Sequence, residues 1–159
     1  MRTEVKIREA SLDDATAVMA CLASAFEVYR ESYTFDGFKD TVLTPQSIKQ
    51  RYSEMTVLVA ENDALGVIGT AAYQVLGAGE GHLRGMAVHP RFQGKGVADQ
   101  LLSAAEAKLR ELGCSRVTLD TTIPLKRAVR FYCRNGYEPT GVVGDFFGMQ
   151  LFEYAKDLD

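Results

Sequence analysis

His89-Pro90-Arg91-Phe92-Gln93-Gly94-Lys95-Gly96-Val97-Ala98 carries the chain out of an apolar strand at residues 82–88, through a glycine-rich turn, and into an amphipathic helix. Glycines at 94 and 96 leave the backbone uncovered, and the first turn of the helix has N–H groups with no partner inside it. Such a junction holds an anion, a phosphate above all, by main chain and helix dipole, and Lys95 adds a movable positive charge. The helix leads into a second strand at 116–120, and the strand–helix–strand order requires a parallel, right-handed crossover.

The helix behind the turn is the clearest in the chain. Ala98, Leu101, Leu102, Ala105, Leu109 and Leu112 form one apolar stripe, Glu106, Lys108, Arg110 and Glu111 lie largely off it, and Gly113 stops it. After Pro124 a second helix is expected over 125–134, with Leu125, Ala128, Phe131 and Tyr132 on its apolar side and Asn135-Gly136 as a left-handed cap. Two strands, 137–143 and 146–154, close the chain around a Gly144-Asp145 turn. Gly85, inside the strand that feeds the turn, predicts a bulge or a close backbone approach.

Upstream, residues 5–8 alternate as a half-buried strand, and Ser11 with Asp13 and Asp14 opens a helix expected to run to about Tyr29. From Arg30 to Leu43 periodicity fails, although Tyr29, Tyr33, Phe35 and Phe38 crowd that stretch. It reads either as a loop pinned to the core by its rings or as the wall of a ligand pocket. Thr44-Pro45 starts a short helix to about Ser53, and 56–60 and 65–75 form an antiparallel hairpin.

With 159 residues, 47% of them hydrophobic, the chain fits a single domain over 1–159 with a full core. A net charge of -3 argues against nucleic acid as a partner. No apolar run is long enough to span a bilayer, and Met1-Arg2-Thr3-Glu4 does not open a signal peptide, so no membrane association and a cytoplasmic location are expected. Cys21, Cys114 and Cys133 lack both disulfide pairing and metal-ligand spacing, and no metal is expected.

The phosphate compound can be narrowed. A nucleoside-triphosphate loop would place Ser or Thr after Lys95, where Gly96 stands, and a dinucleotide turn would place a third glycine at Asp99. What the stretch matches is Gln-x-x-Gly-x-Ala, from Gln93 through Gly96 to Ala98, and here the chain resembles the GNAT superfamily of acyl-CoA-dependent N-acyltransferases. Ala128-Val129-Arg130-Phe131-Tyr132, ending at Gly136-Tyr137, is similar to that family's second motif. Ile7-Arg8-Glu9-Ala10 with Asp14 resembles its usual start.

The resemblance implies a mixed α/β (α+β) fold: a mostly antiparallel sheet of about seven strands, splayed between strands 4 and 5 and flanked by about four helices. It implies acetyl-CoA as co-substrate, with pantetheine in the splay against Met86, Ala87 and Val88. The pyrophosphate would lie on Gln93, Gly94, Lys95, Gly96, Val97 and Ala98, with Arg127 and Phe131 against the same cofactor. Tyr132 occupies the family's general-acid position, His82 that of a general base in several relatives, and Glu80 is a second candidate base. Leu125 stands where many relatives carry Asn.

The implied activity is transfer of acetyl from acetyl-CoA to a primary amine of a small molecule or peptide by direct attack. The alternatives are a non-catalytic acyl-CoA-binding module and an acyltransferase for longer chains. Tyr29, Tyr33, Phe35 and Phe38, with Glu31, Asp36 and Asp40 among them, would suit a cationic amine with apolar parts. The exposed last strands suggest a homodimer.

Overall fold

The computed structural model describes residues 4–159; Met1–Thr3, read above against a signal peptide, lie outside the described residues. Seven strands form one sheet in the order β1-β2-β3-β4-β5-β7-β6. They are β1 (Lys6–Glu9), β2 (Thr56–Asn62), β3 (Gly66–Gly77), β4 (Glu80–Val88), β5 (Arg116–Thr122), β6 (Glu138–Phe146) and β7 (Met149–Asp157). Every neighbouring pair is antiparallel except β4 and β5, joined by the parallel crossover that the glycine turn predicts.

The helices are α1 (Ala15–Phe26), α2 (Phe35–Thr41), α3 (Ser47–Glu54), α4 (Val97–Glu111) and α5 (Lys126–Arg134). That is one more than the reading of the sequence expects. The segment 30–43 is not an irregular loop: α1 tightens into a 3-10 turn over Glu27–Ser32, and α2 follows. Gly37 inside α2 lowers its helix propensity, which hides it from a pattern search. The Thr34 hydroxyl, accepting from the Gly37 N–H, supplies the missing start.

Two cores lie on opposite faces of the sheet. On one, Leu101, Leu102, Ala105 and Leu109 of α4 and Tyr132 of α5 pack with Leu83, Val117 and Leu119. On the other, Val18, Cys21 and Leu22 of α1 and Ile48 of α3 pack with Val57, Val59, Ala72 and Ala87. The alternation of each strand therefore decides which face a residue serves. Since Leu83 and Leu119 face α4, their neighbours His82, Arg84 and Asp120 face the side of α1, α2 and α3.

The last hairpin turns at Phe147-Gly148, both at positive φ (51° and 90°), and not at Gly144-Asp145. Asp145 instead lies within β6, one residue before its end, and accepts a hydrogen bond from the Gly148 N–H. β6 is an edge strand that leaves Val142 and Val143 exposed.

The start of the chain is pinned by charge. Arg8 donates to both carboxylate oxygens of Asp14, at 2.7 and 3.0 Å, and to Glu61 of β2, while Asp14 also accepts from the Ser11 N–H. Those Arg8 bonds hold the Asp14 carboxyl well below the usual carboxylate range. A folded pKa below the unfolded one makes this contribution full above about pH 4 and lost as the pH falls further. Asp14→Ala is expected to cost about 1.5–3 kcal/mol in urea unfolding at neutral pH, the range for hydrogen bonds to charged groups, and less at pH 3.

Candidate active site

β4 and β5 pair only over Glu80↔Arg116 to Leu83↔Leu119. Beyond Leu83 the strands part, and a cavity of about 760 Å³ crosses the sheet through the opening. Its waist is residues 82–88 and 119–122. On the α4 and α5 face it is lined by Gln93, Gly94, Gly96, Val97, Ala98, Arg127, Phe131 and Tyr132, and on the opposite face by Phe26, Tyr29, Tyr33, Arg51, Phe146 and Leu151. The size is that of a small-molecule site.

The α4 end of the cavity is built for an anion. Gly94 and Gly96 take φ of 76° and 82°, a backbone that side chains rarely adopt, and Gly96 caps α4 with no side chain of its own. The first N–H groups of α4 are thereby turned toward the opening. Gln93 ties this turn to both flanks: its Nε2 donates to the Val88 carbonyl at 2.9 Å, and its Oε1 accepts from Arg127 of α5 at 3.1 Å. Arg130 and Arg134 also line the cavity. Small residues, free amides and three guanidinium groups suit a pyrophosphate.

At the waist, β4 skips a residue against β3 between Ala72↔Arg84 and Thr70↔Ala87, so that Gly85 and Met86 together face Ala71. Gly85, at φ 65°, makes this bulge, and a Cβ there would lie 2.5 Å from Arg51 Nη1, so both sequence expectations for it hold. A bulge frees backbone groups from the ladder. It also shifts the strand's alternation, which is why Met86 and Val88 share the face of Leu83.

His82 lies beside this opening. Its Nδ1 is 2.8 Å from Thr118 Oγ1, and its Nε2 is 3.6 Å from Asp120 Oδ2. Burial pushes the imidazole below its ordinary value, with Asp120 partly opposing, and burial raises the Asp120 carboxyl. Tyr132 enters from α5, edge-on to Phe131 and Tyr137 at centroid distances of 5.2 and 5.7 Å. Its hydroxyl has no hydrogen-bond partner among the described residues, and burial alone raises its pKa.

Residues 20–137 match the model of the acetyltransferase (GNAT) family. The chain belongs to that family. Among curated proteins similar to this GNAT chain, the aminoalkylphosphonate N-acetyltransferase of Salmonella typhimurium is 26% identical over 136 residues, 84% of each protein. The amino-acid acetyltransferase of Azotobacter vinelandii is 31% identical over 84 residues, 53% of this chain but only 18% of that enzyme's length. In fold, the PaiA N-acetyltransferase of Thermoplasma acidophilum, solved with coenzyme A, superposes with a TM-score of 0.75 at 19% identity, covering 98% of this chain and 99% of its own.

Within this GNAT cavity the structure gathers His82, Tyr132, Tyr29 and Tyr33, and all the residues proposed for the cofactor except Lys95. Lys95 stands outside the lining, its ammonium 5.9 Å from the centre of the Phe92 ring. Glu80 lies at the paired end of β4, held by Arg116 at 3.0 Å, away from the opening. Phe38 packs behind Tyr33 and Phe35 is 83% exposed, so neither ring reaches the cavity. Tyr33 does, with its hydroxyl 3.0 Å from Thr122 Oγ1.

Sequence reasoning passes over several charged residues of the lining, Asp120 and Arg51 chief among them. Asp120 is opposite His82 only through the parallel register of β4 and β5, and a residue two beyond Thr118 carries no local sign of it. Arg51 sits on a short polar helix and reads as surface, yet it is 8% exposed.

Proposed function

We propose that this chain is an N-acetyltransferase that moves the acetyl group of acetyl-CoA to the primary amine of a small molecule, with both substrates bound together. The observation that carries the proposal is a single cavity running through the splay of β4 and β5, with an anion cradle at one face and titratable groups at its waist. The coenzyme A held by the Thermoplasma relative and the acceptor named for the Salmonella one support the same reading.

When bound, acetyl-CoA supplies an activated thioester carbonyl. The backbone N–H of Met86, freed at the bulge, then serves as the donor for the developing oxyanion. Small residues at Gly94, Gly96 and Ala98 let main-chain N–H groups reach the pyrophosphate, and Arg127 and Phe131 flank it from α5. Leu125 adds apolar lining to the same end of the cavity.

The acceptor amine, of pKa about 10, arrives protonated and must lose a proton before attack. His82 takes that proton, because a buried imidazole near Asp120 stays neutral at physiological pH and opens to the acceptor side of the sheet. Tyr132 gives a proton to the departing sulfur, since burial keeps its phenol protonated. Neither step needs a protein nucleophile; Cys133 is exposed on α5 and outside the lining.

A pH profile tests the base. Burial disfavours the imidazolium, so His82 releases its proton below the ordinary histidine value of about 6.5. The groups acting on it are Asp120, Arg84, Glu153 and Glu80. The acid limb of kcat/KM is expected below pH 6.5, and His82→Asn is expected to lower kcat/KM by about 10²-fold or more and remove that limb. Initial-velocity lines that intersect when both substrates are varied support the ternary complex, whereas parallel lines with acetylated protein would contradict it.

A further inference from the structure

Arg51 is charged, more than nine-tenths buried, and unpaired. It projects from α3 into the acceptor side of the cavity, beside the bulge at Gly85. Among the described residues its guanidinium makes no hydrogen bond or ion pair, and no buried polar side-chain atom is sealed away without a partner. Its nitrogens therefore open on the cavity. The carboxylates that act on it from a distance are Asp40, already bound to Arg84, and Glu54, which accepts from Gln50.

A guanidinium taken out of water without a counter-charge is costly, and folds keep such groups where a ligand completes them. Arg84 adds a second positive charge close by, and although burial and Arg84 pull the Arg51 pKa to about 10, the group stays cationic at neutral pH. Its planar fork of N–H donors matches the oxygens of a carboxylate or phosphonate. The acids around Tyr33 do not serve a cationic amine there: Asp40 is engaged, and Glu31 and Asp36 lie outside the lining, which leaves Asp120 beside His82 as the carboxylate for an ammonium end and Arg51 without an anion.

We propose that Arg51 anchors an anionic group of the acceptor, so that the amine to be acetylated belongs to a small amino acid or aminoalkylphosphonate. This rests on the acetyltransferase reading of the same cavity. Gly85 lies next to Met86, the oxyanion donor, so an anion on Arg51 is a short chain away from the carbonyl to be attacked. His82 and Asp120, on the same face of the sheet, receive the ammonium end. Glycine at 85 suits both the φ of 65° at the bulge, which strains any residue with a Cβ, and the guanidinium, which a Cβ would displace.

Glycine and aminomethylphosphonate, compared with ethylamine as acceptors, test this, with wild type, Arg51→Met and Arg51→Lys. Wild type is expected to favour at least one anionic amine over ethylamine by about 10²-fold in kcat/KM, chiefly through KM. The better of the two identifies a planar or a tetrahedral anion. Arg51→Met is expected to bring that ratio toward one, and Arg51→Lys, which keeps the charge without the fork, to restore part of it. Equal use of all three amines by wild type, or an undiminished ratio in Arg51→Met, would overturn the inference and leave the transferase reading intact.

Calorimetric binding of aminomethylphosphonate and glycine to the CoA-loaded protein gives a readout free of turnover. Tighter binding than ethylamine that vanishes in Arg51→Met supports the anchor even if no amine is acetylated, in which case only the transferase reading fails. Binding of both anions no tighter than ethylamine contradicts it. Should Arg51→Met not fold, Arg51→Lys and the wild-type preference carry the same two outcomes.

Discussion

Replacing Tyr132 by phenylalanine is expected to lower kcat by about 10²- to 10⁴-fold, the usual contribution of a positioned proton donor. The effect falls on chemistry because packing is preserved. The ring sits edge-on between Phe131 and Tyr137, and phenylalanine fills the same space. Removing the hydroxyl orphans no protein group, since it has no partner among the described residues. Thermal unfolding and the acetyl-CoA Kd should therefore match wild type while kcat collapses. Unchanged kcat would make Tyr132 a core tyrosine.

The second large effect is expected at Gly96, where Gly96→Glu should weaken acetyl-CoA binding by about 10²-fold or more. Two costs add. A φ of 82° strains any residue with a Cβ by roughly 1–2 kcal/mol, and a carboxylate in the anion cradle adds like-charge repulsion of several kcal/mol. At 1.4 kcal/mol per tenfold, their sum reaches that loss readily. Gly96→Ala, which carries the strain without the charge, should lie between the two. Calorimetry reads all three, and an affinity equal to wild type in Gly96→Glu would place the pyrophosphate elsewhere.

Much of this molecule is legible in its sequence where the signal is local. The apolar stripe of α4 and the glycines before it depend on residues a few positions apart, so the junction at 93–98 reads correctly as a strand turning into a helix. The Asn135-Gly136 cap is of the same kind, with Gly136 at φ 94°. The bulge at Gly85 is visible too, because an isolated glycine in a strand has few other uses.

What is not legible is set by distant partners. α2 forms although Gly37 weakens it, and that glycine is needed because a Cβ would meet Thr34 Oγ1 at 2.8 Å and Met149 Sδ at 3.4 Å. Asp145 looks like a turn residue, yet the chain turns two positions later. Phe35 and Phe38 share the composition of Tyr33, but only Tyr33 is directed to Thr122 in the cavity wall. Arg51 is the sharpest case: nothing in Ser47–Glu54 tells that the second of its two cations is buried, because the space it fills is made by the missing side chain of Gly85.

The activity proposed for the splayed cavity is acetyl transfer from acetyl-CoA straight to an amine. Label carried in the acetyl group, followed through a mixed library of small amines while free CoA is measured, tests it most directly. Amine-dependent release of CoA is expected, with one labelled N-acetyl product for each CoA released and both strongly reduced in Gly96→Glu at acetyl-CoA concentrations near the wild-type Kd. Acetyl-CoA that binds with no amine raising CoA release, or label that comes to rest on the protein, would contradict it.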